Sequence, residues 1–163
     1  KRQWSKRTGK HWRFWRRTTV ANPPSPDPPQ DSHSTHDVYY LTLEDALNCY
    51  AGIFGCSTEQ AASQLRDPSG LESVLARPRN YALYQEADLA LQAAVLAHGI
   101  AEGQLFIDGN KRTAWVALRT FLLQNGYDVT GSQEERATWI LRLSENWTAE
   151  ELAGQIRERL VEA

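Results

Sequence analysis

The 163-residue chain contains no methionine, not even at position 1, and only two cysteines. A start without Met is what a sequence beginning inside a longer reading frame, or after processing, would show. Cys49 and Cys56 lie seven apart, on what reads as one helix and its exit. No disulfide framework or metal-ligand spacing surrounds them, so a reducing cytoplasm is the expected setting. The apolar runs are too short to span a bilayer. The charged N-terminus lacks the apolar segment of a signal peptide. Lysine is also scarce: after Lys10 the only one is Lys111, in a stretch that otherwise uses arginine for every cation. The length suits one domain with a real core.

What is present divides the chain into unlike parts. The net charge of −2 hides eight basic groups and no acid in residues 1–20, against 10 basic and 19 acidic residues from Asp31 onward. Residues 1–20 interleave Lys and Arg with Trp4, Trp12, Phe14 and Trp15. That pattern fits an arm for nucleic acid or an anionic membrane surface, and fits equally a plain extension with no partner face. Residues 21–36 hold five of the seven prolines and read as a stiff, extended linker. The domain is therefore expected over residues 37–163. Its surplus of acid argues against any broad nucleic-acid surface outside the arm.

Residues 37–163 read as helix after helix, so the expected fold class is all-α. Thr42 with Asp45 forms an N-cap pair opening LTLEDALNCYAGIF, and Gly55 stops that helix. STEQAASQLR reads as a weaker helical piece ended by DPSG, and GLESVLA as a short helix halted by Pro78. EADLALQAAVLAHGIAEG is apolar nearly all round and should be buried on most sides. NKRTAWVALRTFLLQ has the same character and ends at Asn125-Gly126. Two amphipathic helices, each acidic at its start, close the chain. Only residues 36–41 and 81–84 look like strands.

The loop EGQLFIDGNKRTAW, residues 102–115, joins the two central helices and carries the chemistry. Asp108-Gly109 makes a sharp turn and Asn110 begins a helix, whose first N–H groups attract an anion. Lys111 and Arg112 place two positive charges in that first turn, where without an anion they oppose the helix dipole. Arginine can grip a phosphate with two parallel hydrogen bonds. Asp108 could hold a Mg²⁺ that bridges phosphates. Phe106 would pin the loop to the core.

The run LFIDGNKRTA resembles the signature of the Fic/Doc superfamily, and in particular of its Doc (death-on-curing) branch. YLTLEDALNCYAGIFG, LRDPSGLESVLARPRN and FLLQNGYDV resemble Doc segments in the right order, over about residues 38–130. The resemblance implies a Fic-type helical bundle around two central helices, in a toxin paired with an antitoxin. It implies ATP as substrate and Mg²⁺ as cofactor, with transfer to a Ser or Thr of a protein such as a translation factor. Lys111, where Fic proteins have Gly, points to phosphorylation rather than nucleotidylation. Trp115 falls where the Fic motif has its second Arg. By carry-over Asp108 is the metal ligand and, with Lys111, part of the catalytic set. Gly109, Asn110, Lys111 and Arg112 hold the phosphates, and Phe106 is structural. Arg77, Arg79 and Asn80 lie where the family docks its target.

One position departs from the signature: Gln104 stands where the family carries its catalytic His. An amide can orient a hydroxyl but has no usable pKa near neutrality, and losing a general base costs about 10²–10⁴ in rate. No other histidine substitutes. His98 is six residues earlier in an apolar helix and reads as a satisfied core histidine, while His33 and His36 fall in the linker and His11 in the arm. Gln104 therefore reads as a substitution that disarms a toxin, as a degenerate copy kept for binding, or as a variant with altered transfer chemistry. The functional expectations are a weakened Doc-like transferase, or a silent Fic-fold protein that binds nucleotide, phosphate or an antitoxin-like peptide.

Overall fold

The computed structural model describes residues 37–143 and 145–163, so the expected arm (1–20) and linker (21–36) lie outside the described residues. Residues 37–163 form one compact unit. Its elements are α1 (Leu43–Phe54), α2 (Thr58–Ser63), α3 (Pro68–Gln85), α4 (Leu89–Glu102), α5 (Asn110–Gln124), β1 (Tyr127–Val129), α6 (Gln133–Leu143), α7 (Ala149–Arg159) and β2 (Leu160–Glu162). The fold is all-α, with one small antiparallel ribbon that pairs Tyr127 with Glu162 and Val129 with Leu160.

Helix α4 is the axis. Residues 90–97, Gly99 and Ile100 are buried, and α3, α5 and α7 pack around it. Ala90, Ala93, Ala94 and Ala97 keep its surface low, which lets neighbouring helices approach closely. At Gly99 the approach is closest: a Cβ there would stand 2.7 Å from Val74 Cγ1 and 3.0 Å from Arg77 Nη1 of α3. Leu118, Phe121 and Leu122 of α5 and Leu152 and Ile156 of α7 close the core with no exposed surface.

The helix starts follow the sequence. Thr42 and Asp45 form a reciprocal capping box at α1, and Gly55 adopts the left-handed conformation at its end (φ 63°). Asp88 caps α4 and also takes a two-pronged ion pair from Arg157 of α7 (2.7 and 3.0 Å), tying the axis to the last helix.

Several local expectations fail. Pro78 does not halt a helix, because α3 runs through it to Gln85. A proline there forfeits one backbone hydrogen bond, at about 3 kcal/mol in an exposed helix. Here its ring is buried and Tyr81 packs on the core beyond it, which holds the second half of α3 in place. Residues 81–84 are thus helical. DPSG does not end α2 but opens α3, with Asp67 accepting from Gly70 N at 2.9 Å and Pro68 at the first helical position. Residues 37–42 belong to no strand either. Their partner is a side chain: Tyr39 N donates to Asn125 Oδ1 (2.8 Å), and Asn125 Nδ2 donates to Tyr39 O (3.0 Å). The actual strands lie at 127–129 and 160–162, the latter inside what the sequence presents as the end of a helix.

Candidate phosphate-binding site

The α4–α5 connection is fixed at both ends. Helix α4 ends at Gly103, and Gln104 follows with φ 47°, the left-handed conformation that normally favours Gly or Asn. Leu105 and Phe106 then turn into the core, 2% and 1% exposed. Their backbone pairs with the α2–α3 connection in an isolated antiparallel bridge between Leu65 and Phe106. Arg66 N donates to Leu105 O (2.8 Å), and Ile107 N donates to Gln64 O (2.9 Å). Asn110 clamps the loop from its other side. Its Oδ1 accepts from Phe106 N and its Nδ2 donates to Phe106 O, both at 2.9 Å. The Asn110 side chain is therefore committed to the loop, and what this residue can offer an anion is its backbone N–H.

Gly109 is needed twice over. It has φ 78°, and a Cβ there would lie 2.5 Å from the Phe54 ring. Its carbonyl accepts from Thr113 N (2.9 Å) and Thr113 Oγ1 (2.8 Å), so the turn leads directly into α5. Helix α5 has no side-chain cap. Among the described residues it alone starts that way: α1, α2, α3, α4 and α7 each have a capping side chain, and Ser132 caps α6 through Glu135 N. Its first residues line a surface pocket of about 480 Å³, with Ala101, Gln104, Ile107, Asp108, Gly109, Asn110, Lys111, Arg112 and Ile140 in its wall. A concave cluster of uncapped N–H groups, an ammonium and a guanidinium is chemistry for an anion such as phosphate.

Among the described residues Asp108 is the single carboxylate on this pocket. One of its oxygens accepts from Gly109 N at 2.7 Å. Among the described residues no group of three His, Cys, Asp or Glu is gathered for a metal. The donor set fits a Mg²⁺ held by one carboxylate and completed by phosphate oxygens and water, and does not fit a metal caged by protein alone. On the other side Asp108 also lines a second pocket, of about 520 Å³, with Tyr50, Phe54, Cys56, Gln60, Ser63 and Gln64. Burial pushes the Tyr50 phenol above its ordinary range, so its ring is neutral where it stacks on Phe106.

The structure brings Gln104, Asp108, Gly109, Asn110, Lys111 and Arg112 together around one pocket, with Phe106 buried beneath them. It does not bring Arg77, Arg79 or Asn80 there. Those three are exposed on α3, and Arg79 lines a different pocket with Tyr40 and Glu72. The segment that touches the loop is Gln64–Asp67 instead. His98 is half-buried on α4, not fully in the core as expected. Trp115 packs edge-on against Trp139 of α6 with centroids 5.6 Å apart, away from the pocket. Sequence reasoning missed Ala101, Ile107 and Ile140 as pocket wall, and it missed Phe54. Helical spacing places Ala101 one turn behind the loop; Ile140 carries no such signal.

The chain is similar in sequence to known proteins. The chain is 37% identical over 89 residues to a protein named Toxin Doc from Mycolicibacterium smegmatis (strain ATCC 700084 / mc(2)155), covering 53% of this chain and 65% of that protein. It is 33% identical over 96 residues to Protein kinase doc of Escherichia phage P1, covering 58% of this chain and 69% of that protein. The chain thus spans less than two thirds of the mycobacterial relative. The family described as Fic/DOC matches residues 40–122, which includes the entire loop. On that match, the chain belongs to the Fic/DOC family.

Proposed function

We propose that the chain binds the phosphates of ATP at the start of α5 and is built to transfer the terminal phosphoryl group to a protein Ser or Thr. The observation that carries this reading is the uncapped N-terminus of α5, with Lys111, Arg112 and Asp108 around one pocket. The name of the phage relative, a protein kinase, supports phosphoryl over nucleotidyl transfer. A bound Mg²⁺ would be held by Asp108 and would neutralise phosphate charge. The chain's own residues do the rest. The backbone N–H groups and the two cations hold the phosphate oxygens, and Gln104, at the pocket rim, orients the incoming hydroxyl through its amide. A P–O bond forms to that hydroxyl oxygen as the bond to the departing ADP breaks. The hydroxyl proton passes to a phosphate oxygen or to water, because Gln104 cannot keep it. Phosphoryl transfer depends chiefly on positioning and charge stabilisation, so the reaction survives without a base, but slowly.

The same residue supports a second reading. Among the described residues the pocket contains no histidine, and a protein that binds nucleotide or phosphate without transferring it has the same geometry. An antitoxin-like peptide is the expected protein partner, given a relative named as a toxin, and a translation factor is the proposed target. Residues 1–20 and 21–36 are proposed as an arm and a linker to this domain. Incubation with labelled ATP and cell extract, using the wild type and Gln104→His, separates the two functions. Labelling that rises about 10²–10⁴-fold in the histidine variant supports transfer. ATP binding with no labelling in either form supports the silent reading.

A further inference from the structure

Phe54 is the last residue of α1, outside the loop motif, and is 38% exposed. An aromatic ring left that open at a helix end has little core to fill. Its contacts say what it does instead. Phe106, the buried anchor of the loop, stacks on Tyr50 at 4.5 Å with ring planes 17° apart. Tyr50 stacks on Phe54 at 4.5 Å and 28°. The Arg112 guanidinium carbon lies 4.7 Å from the centroid of the Phe54 ring. Three rings therefore run from the floor of the loop to the arginine on the pocket, and Gly109 lacks the Cβ that would collide with the third.

We propose that Phe54 is a positioning residue for phosphate binding: its ring holds the Arg112 guanidinium at the pocket before the ligand arrives. This rests on the reading of the pocket as a phosphate site. Without an anion, Arg112 stands in the first turn of α5, where the helix dipole repels it. The electron-rich face of an aromatic ring attracts a guanidinium and offsets that repulsion. A flat guanidinium lying on a ring also keeps its edge open for the two parallel hydrogen bonds a phosphate takes. Ordering the long side chain in advance removes an entropic cost from binding. Lys111, beside it, has no such support among the described residues.

The test uses the full chain and inorganic tripolyphosphate, followed by calorimetry. Phe54→Leu keeps an apolar side chain and removes the ring; it is expected to weaken binding about three- to five-fold. Phe54→Tyr keeps the ring and should bind like the wild type. In an Arg112→Ala background, Phe54→Leu should add nothing, whereas a merely structural role would lower affinity equally in both backgrounds. Equal losses in the two backgrounds, or wild-type binding by Phe54→Leu, overturn the proposal. A second measurement needs no ligand. The Arg112 Nε–H resonance should carry a ring-current shift that Phe54→Leu abolishes and Phe54→Tyr retains. If that shift is present but tripolyphosphate does not bind the wild type, the phosphate reading fails while the ring contact stands. If the shift is absent, the positioning role fails on its own.

Discussion

The side-chain amide of Asn110 is hydrogen-bonded to both backbone groups of Phe106, as a neighbouring strand would be. This pair closes the loop on the side opposite the Leu65–Phe106 bridge, so Phe106 is held from two directions and its ring from a third by Tyr50. The start of α5 is thereby tied to the segment that precedes the Asp108-Gly109 turn.

Replacing Asn110 with Ala leaves the backbone N–H and C=O of buried Phe106 without this partner. The expected loss is about 2 kcal/mol in urea unfolding. Amide exchange at Phe106 should quicken, while helices α6 and α7 keep their protection. A variant as stable as the wild type, with unchanged exchange at Phe106, would show that the amide clamp contributes nothing.

Gln104 occupies a left-handed position, which costs a residue with a Cβ about 1–2 kcal/mol. Glycine there relieves that strain and gives back about 0.5–1 kcal/mol through its greater freedom when unfolded. Gln104→Gly should therefore unfold up to about 1.5 kcal/mol harder than the wild type, whereas Gln104→His, equally strained, should match the wild type. A destabilised glycine variant would sink this account of the backbone.

Much of this was legible in the residues. The Thr42–Asp45 box, the Gly55 stop, the apolar run of α4 and the Asp108-Gly109 turn all rest on local rules, which a sequence carries openly. What was hidden depends on tertiary contact. Pro78 is tolerated because its ring is buried, a fact no window around it contains. Residues 36–41 read as a strand, but within the described part Tyr39 pairs with the Asn125 side chain, 86 positions away. Strand β2 hides behind the amphipathic pattern of α7. In the site, the motif placed the polar residues; Ile140 reaches the pocket from α6 and Phe54 of α1 touches its Arg112, and nothing in their own neighbourhoods marks them.

Gly99 sets how closely α3 and α4 approach. The methyl group of Gly99→Ala would meet Val74 Cγ1 at 2.7 Å. Overpacking of this kind costs about 1–3 kcal/mol. In a Val74→Ala background the obstructing methyls are gone, so the same substitution should cost distinctly less. Equal costs in both backgrounds, read from chemical denaturation, would mean that the helices separate freely.

Arg119 of α5 grips Asp128 of β1 with two hydrogen bonds, 2.9 and 2.8 Å, and Val129 N adds a third to the same carboxylate at 2.8 Å. Chiefly through Arg119, and against the effect of burial, the Asp128 carboxyl is held below its ordinary value of 3.8. A carboxylate depressed in the folded state stabilises the fold fully above its unfolded pKa, and that contribution fades as pH falls through the lower folded value. Asp128→Asn should thus be less stable than the wild type by about 1 kcal/mol at neutral pH, since the pair is partly exposed. The gap should stay level down to about pH 5 and close below about pH 4. High salt should narrow it. Thermal unfolding of both proteins across that range checks the sign: a gap that widens toward acid would mean the ion pair is not what holds β1 to α5.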